Sequence, residues 1–410
     1  MLFTIGEFTS YTNPIMKHIR SLQDFEHAAK KKLPAQLFSY IYNGADNERC
    51  LVENRQAFDR FAFVPRMLKD VSQRTQSMTL FGHEYDSPFG ISPVGLNAMW
   101  CYRGDVALAQ AAQQANIPAV MSGASLIPME AVAKAAPNTW FQAYMLGDMA
   151  RVEALIERIS RAGFKTLVLT VDLPVSVNPE NYARHGFSSP LRPNLKLFWE
   201  GLRHPRWLMG TFLQTLARHG MPHFENWRAE RGAPIISAHA QRDFQARDHL
   251  SWEHVKHIRA LWPGKLVIKG LVAPEDAAIA TALGADGLII SNHGGRQIDG
   301  AISPLVVLPE IVKVAAGATI MMDSGIRRGT DVLKALALGA HCVFLGRSFN
   351  YAATVGGQNG VLHAIDILQS EIHRNMAHLG LSSLHEVDRS ILRDLHALAP
   401  ITHSSNTASG

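Results

Sequence analysis

Eight short apolar runs, each followed by a helix-like stretch, constrain the fold of this chain more than any other feature. They are Phe89–Ser92, Ala119–Ser122, Trp140–Tyr144, Thr166–Asp172, Leu266–Lys269, Leu288–Ser291, Thr319–Asp323 and Cys342–Gly346. Runs this short and this apolar suit strands buried on both faces, which is the condition of a parallel sheet wrapped by helices. Helix signals fill the gaps. Pro274-Glu275-Asp276 reads as a first turn, and Thr330-Asp331 as the N-cap and first position of another helix. Ala282-Leu283-Gly284-Ala285 and Ala337-Leu338-Gly339-Ala340 repeat one helix-to-strand turn, with glycine as the left-handed stop. The alternation predicts an α/β chain of the (β/α)8 TIM-barrel class. A doubly wound sheet is the alternative, but no G-x-G-x-x-G follows the first run.

In such a barrel the chemistry sits at the carboxyl ends of the strands. Those ends carry Ser92, Ser122, Gln142 with Tyr144, Thr170 with Asp172, Lys269, Ser291 with His293, Asp323, and Gly346 with Arg347. The seven residues Ser291-Asn292-His293-Gly294-Gly295-Arg296-Gln297 stand out. His293 can trade a proton near neutral pH, and Arg296 offers a fixed fork of donors for a carboxylate. Alone, such a stretch reads as a solvated surface turn; the polar strand ends around it argue for a site. Lys269 at a barrel mouth needs an anion or an electron-poor ring that gains charge, such as a flavin, with Schiff-base chemistry as the rival. Asp323-Ser324-Gly325-Ile326-Arg327 and Gly346-Arg347 end the last two strands with the glycines and arginines of a phosphate pocket.

On these motifs the chain resembles the FMN-dependent 2-hydroxy acid oxidases and dehydrogenases, the family of glycolate oxidase, L-lactate dehydrogenase and (S)-mandelate dehydrogenase. The resemblance runs over about residues 20–395, and Pro93–Trp100 is most similar to the mandelate dehydrogenase branch. It implies FMN held near Val94 and Gly95, by Ser122, Gln142, Thr170, Lys269, Ser291 and Asp323, with phosphate contacts from Gly325, Arg327, Gly346 and Arg347. It further implies His293 as the base, Asp172 as its carboxylate partner, and Tyr40, Tyr144 and Arg296 as substrate contacts. No metal site is expected. Two departures stand out. Counting from Asp172 puts Pro179 where the family carries a second substrate arginine, with Arg184 as the nearest replacement. Ala124 stands where glycolate oxidases carry a tryptophan, which favours a bulky or aromatic substrate.

The expected organisation is an N-terminal helical cap over 1–86, a barrel over 87–395 with an insertion at 175–250, and a disordered tail over 396–410. Within the cap, Leu22, Phe25, Ala28 and Ala29 share a helix face, and Pro34 opens a second helix that Gly44 closes. A hydrophobic content of 47% and a charged content of 18% describe a globular chain with a large core. The three cysteines lie far apart without metal spacing, which fits reduced thiols and a cytoplasmic location. Neither a secretory signal nor a transmembrane run is evident. The whole net charge of +5 resides between Arg184 and Arg231, where eight basic residues face Glu200, Glu225 and Glu230. Leucines and aromatics interleave there, which suits an anionic membrane surface better than nucleic acid; a lid packed on the barrel is the alternative.

The reading of the whole is oxidation of an L-2-hydroxy acid, with electrons passed to a membrane quinone or another non-oxygen acceptor. The alternatives are a soluble oxidase that makes hydrogen peroxide and a flavin-binding protein with an altered substrate site. A homo-oligomer, a tetramer, is expected from the family.

Overall fold

The computed structural model describes residues 16–145, 148–178, 180–188, 195–237, 248–315 and 317–397. Eight parallel strands form the barrel: β1 Phe89–Ile91, β2 Val120–Ser122, β3 Trp140–Ala143, β4 Thr166–Thr170, β5 Lys265–Leu271, β6 Gly287–Ile290, β7 Thr319–Met322 and β8 Cys342–Leu345. Each pairs with its sequence neighbour from β2 to β8, and β8 pairs with β1. A parallel bridge between Ile91 and Ala119 closes the ring, with the Ile91 N–H donating to Pro118 O at 2.9 Å. All eight apolar runs are therefore strands of one barrel.

Side chains alternate along each strand, and the alternation sorts the sequence into layers. Leu167, Leu169, Ile268, Leu288, Ile290 and Met322 pack outward in the core beneath the helices. Val120, Trp140, Val168, Val267, Ile289, Met321 and Phe344 form a separate cluster, the barrel interior. Gly90 completes this layer, because a Cβ there would stand 2.7 Å from the Phe344 ring. An antiparallel hairpin, Met78–Leu80 with His83–Tyr85, supplies Leu80 and Tyr85 to the same cluster and plugs the amino-terminal end.

Two residues further along every strand comes the next inward position: Ser92, Ser122, Gln142, Thr170, Lys269, Ser291, Asp323 and Gly346. The polar strand ends are thus one continuous layer lying directly on an apolar plug. Between β5 and β6 the register shifts at Lys269/Leu271, with Gly270 at φ +109°. A Cβ on Gly270 would lie 2.6 Å from the Asp172 side chain, so the irregular strand leaves room for that carboxylate.

The N-terminal helices Leu22–Lys32, Ala35–Tyr42 and Arg49–Asp59 lie over the carboxyl ends of the strands. Ser21 and Asp24 form a capping box on the first, and the acidic residue also suits the positive end of the helix. Two expected boundaries move. The second helix stops at Tyr42 with Asn43 as its cap, and Gly44 is not a left-handed stop. Gly44 is needed for close approach, since a Cβ there would meet Gly295 O at 2.8 Å. The helix after β7 runs Gly329–Ala337, so Arg328 is its N-cap and Thr330-Asp331 lie inside it. Asp331 instead caps from within, accepting from the N–H groups of Arg327 (2.8 Å) and Arg328 (3.0 Å). Gly284 and Gly339 do take the expected left-handed φ, +87° and +108°. Strand Phe61–Phe63 pairs antiparallel with Leu392–Asp394, tying the two ends of the described chain together.

The insertion divides into two parts. Helix Leu195–Arg203, the segments Pro205–Trp207 and Leu208–Leu213, and helix Gln214–His219 lie on the outside. Trp207 anchors them, buried and donating from Nε1 to Met99 O at 2.7 Å. Leu195, Phe198, Trp199 and Leu202 recur at helical spacing on the opposite face, where Phe198 and Trp199 are 60% and 59% exposed. Residues 221–237 return to the barrel. There Asn226 accepts from Met129 N at 2.8 Å and donates to Ile127 O at 2.8 Å, fixing Phe224 over the strand ends. Among the described residues no helix is long and apolar enough to cross a membrane. Cys50, Cys101 and Cys342 are free and buried, and no group of potential metal ligands occurs among the described residues. Residues 1–15 and 398–410, on which the leader and tail expectations fall, lie outside the described residues, as does Pro179.

Candidate active site

A cavity of about 400 Å³ opens over the polar layer. Tyr40, Val94, Gly95, Tyr144, Lys269, His293, Arg296, Asp323, Gly325, Arg327, Gly346 and Arg347 all line it. Ser122, Gln142, Thr170 and Ser291 belong to the layer that ends the strands and are almost wholly buried. Every residue expected at the site is therefore brought to one end of the barrel.

His293 has φ +56°, a left-handed backbone that costs a residue with a Cβ about 1–2 kcal/mol. The loop holds it there from several sides. His293 N–H donates to Ser291 Oγ at 3.0 Å, and Gly294 N–H to Ser324 Oγ at 3.0 Å. Asn292 and Asn54 exchange amide hydrogen bonds at 2.9 and 2.8 Å across to helix Arg49–Asp59. The reward is a ring whose Nδ1 meets Asp172 Oδ1 and Oδ2 at 2.9 and 3.1 Å, which leaves Nε2 for the cavity. Burial pushes the Asp172 carboxyl up, but the charges of His293 and Lys269 and the hydrogen bond from His293 outweigh it. The carboxyl is held below the ordinary value of 3.8.

Lys269, 3% exposed, is matched by buried Asp323: Nζ lies 3.1 Å from Asp323 Oδ2 and 2.8 Å from Ser291 Oγ. Ser92 and Ser324 hydroxyls donate to the same carboxylate at 3.1 and 2.9 Å. Gln142 accepts at Oε1 from Ser122 Oγ (3.1 Å) and Gly123 N (3.2 Å), which fixes its orientation. Its Nε2, like Thr170 Oγ1, is buried without a partner in the protein. Buried polar atoms left unpaired cost about 1–3 kcal/mol each, so this floor is built for something that completes it.

At the far end Gly325 has φ +81°, and a Cβ there would clash with the Asn54 carbonyl. The N-terminus of helix Arg347–Leu379 opens beside it, with free N–H groups directed at the cavity rim. Arg347 donates to Ile41 O, Gly294 O and Asn43 O at 3.0, 2.8 and 3.2 Å. Arg296 donates to Tyr40 O and Asn43 O at 2.6 and 3.1 Å. The carbonyl end of helix Ala35–Tyr42 thus holds both guanidiniums. Burial, reinforced by the charges of Arg296 and Arg327, pushes Arg347 down to about 9. Arginine keeps its proton in proteins, so the repulsion calls for an anion between Arg327 and Arg347. Unpaired hydrogen-bonding groups on the floor, glycine-lined walls and an anion seat at one end fit a flat heterocycle carrying a phosphate.

The other wall is aromatic. Tyr40 lies 4.8 Å from Phe187 and 5.8 Å from Tyr182 between ring centroids, and Phe224 stacks on Trp227 at 3.8 Å. Ala124 also lines the cavity, 2.7 Å from where a Gly95 Cβ would stand, so its small size keeps this side open. Arg184 does not reach the site: it is exposed and pairs with Glu180 at 3.3 Å. The sequence reading missed Asn54, Gly270, Tyr182, Phe187, Phe224 and Trp227. Only the density of aromatics in the insertion hinted at the last two.

The comparisons agree with this geometry. A family model described as FMN-dependent dehydrogenase matches residues 29–394. (S)-Mandelate dehydrogenase of Pseudomonas putida is 35% identical over 390 residues, 94% of this chain and 98% of that protein. L-Lactate dehydrogenase of Ectopseudomonas mendocina is 39% identical over 379 residues, 91% and 98% of the two chains. The crystal structure of monotopic membrane protein (S)-mandelate dehydrogenase superposes with a TM-score of 0.84 at 35% identity, covering 92% of this chain and all of that one (100%). A mandelate oxidase solved with benzoyl-formic acid gives 0.75 at 32% identity, covering 92% and 98%. With barrel, cavity and relatives in agreement, this chain belongs to the FMN-dependent dehydrogenase family, as a 2-hydroxy acid dehydrogenase or oxidase that uses FMN.

Proposed function

We propose that this chain oxidises an L-2-hydroxy acid with a bulky or aromatic side chain to the 2-oxo acid. The observation that carries the reading is the His293–Asp172 pair at 2.9 Å, standing over a floor whose Gln142 Nε2 and Thr170 Oγ1 lack partners. Gln142, Thr170, Ser122, Ser291 and the backbone near Val94 and Gly95 hold the flavin ring, and Lys269, paired with Asp323, faces its polar edge. Gly325, Arg327, Gly346 and Arg347 hold the phosphate. When bound, FMN accepts two electrons. Arg296 binds the substrate carboxylate, Tyr40 and Tyr144 orient the hydroxyl, and the aromatic wall takes the side chain and excludes water. His293 Nε2 accepts a proton from the substrate, while Asp172 fixes the ring through Nδ1 and stabilises the imidazolium. Anaerobic mixing of the FMN-loaded protein with a panel of 2-hydroxy acids tests this. Bleaching of the flavin by an aryl hydroxy acid is expected; no bleaching by any acid, when light reduces the flavin, would leave a flavin-binding protein with an altered substrate site.

The acceptor is proposed to be a quinone or another non-oxygen carrier at an anionic membrane surface. The exposed face of Leu195, Phe198, Trp199, Leu202 and Met209 supports this, flanked by exposed Arg203 and Arg206. Each large side chain withdrawn from water contributes about 1.5–3 kcal/mol. Phe198→Asp with Trp199→Asp should therefore abolish sedimentation with anionic vesicles, and equal binding would end the membrane reading. Fast reoxidation of the reduced protein by air would favour a peroxide-forming oxidase instead.

A further inference from the structure

Resting on that function, we propose that the site also oxidises neutral 2-hydroxy carbonyl compounds, the amides and esters of aryl-bearing 2-hydroxy acids. The charges around the reacting centre balance without a substrate carboxylate. Lys269 and Arg296 are positive, and Asp172 and Asp323 are negative. Arg327 and Arg347 match a phosphate, which carries a charge of about −1.5 to −2. A carboxylate seated beside His293 would add one negative charge to a closed balance, close to Asp172. A carboxamide adds none and still accepts a hydrogen bond at its carbonyl.

The donors point the same way. Among the described residues lining the cavity, Arg296 is the one guanidinium beside the aromatic wall, and its Nη1 is committed to Tyr40 O and Asn43 O. Arg184 faces solvent with Glu180. Where a second cation could have stood, the wall presents Tyr182, packed edge-on to Phe187 at 5.9 Å and close enough to Arg296 to feel its charge. A phenol is a neutral donor, and with Leu173, Val177, Phe224 and Trp227 it makes a surface that favours uncharged groups. The chemistry is the same for acid and amide. The C2–H and O–H bonds break and the C2–O bond becomes double. One proton goes to His293 Nε2, and the electron pair with the other proton goes to the flavin.

A charge-assisted contact is worth about ten- to a hundredfold, and here acid and amide share the one that exists. Anaerobic flavin reduction by (S)-2-hydroxy-2-phenylacetate and its amide should give kcat/KM values within about tenfold of each other. An advantage of the acid above about tenfold overturns the proposal. Binding of the two products, the 2-oxo acid and the 2-oxo amide, is read separately from the flavin absorbance and should differ by less than the same factor. Tyr182→Arg, which adds a second guanidinium, should shift both ratios toward the acid by about ten- to a hundredfold; unchanged ratios in a folded, FMN-loaded variant also overturn it. If neither substrate bleaches a flavin that light can reduce, the proposed function falls, and the product comparison still decides the charge preference.

Discussion

Replacing Asp172 with asparagine isolates what the carboxylate does for His293. The two oxygens stand 2.9 and 3.1 Å from Nδ1, so the charge centres of a carboxylate and an imidazolium are about 4 Å apart. At an effective dielectric of about 20 that attraction is about 4 kcal/mol. Each 1.4 kcal/mol or so changes a rate tenfold, so Asp172→Asn should slow flavin reduction by up to about a thousandfold. The asparagine keeps the shape and the contact with Gly270, and FMN content should be unchanged. Stopped-flow absorbance under anaerobic conditions, at saturating substrate, reads the step directly. A rate within tenfold of the parent, with full FMN, would refute the view that the carboxylate stabilises the proton on His293. The pH profile gives a second reading. Because the folded Asp172 carboxyl is held below 3.8, its contribution is complete above that value and is lost only as pH falls beneath it. An acid limb between pH 5 and 8 therefore belongs to another group.

Three further substitutions probe the supports. Asn54→Ala leaves buried Asn292 without its reciprocal amide partner; a loss of about 1–3 kcal/mol in denaturant unfolding and a slower reduction step are expected. Lys269→Met strands the buried Asp323 carboxylate, which should cost about 3–5 kcal/mol, and pairing it with Asp323→Asn should recover most of that stability. Gly270→Ala forces a Cβ against Asp172 at a φ of +109°, so reduction should fall at least about tenfold while bound FMN is retained; an unaffected rate would mean the bulge is incidental.

The barrel was legible because strands buried on both faces read as unbroken apolar runs, and the polar residue two places beyond each inward apolar one marks the strand end. His293, Asp172, Lys269 and the glycine-arginine loops were legible for the same reason: each follows directly from a strand. Asn54 was not, because its partner is 238 residues away and no local pattern links two asparagines. Tyr182 and Phe187 looked like loop composition, since a wall has no period. The Gly44 and Thr330 boundaries moved because tertiary neighbours, Gly295 O and the N–H groups capped by Asp331, decided them rather than local propensity. Arg184 failed as a replacement cation because an adjacent helical turn offers it Glu180.

The contacts that fasten the N-terminal helices over the site also set a clock. Asn54, Arg55 and Arg60 bind partners 238, 276 and 334 residues later in the chain. During synthesis at about 5–20 residues per second, the first helices to emerge wait roughly 10 to 70 s for their seats to exist. Phe25, Phe58 and Leu37, all buried at the end, spend that interval on the nascent chain without their final neighbours. The part of the molecule made first is thus the part that docks last, and assembly of the catalytic loop marks the finish of folding rather than its start.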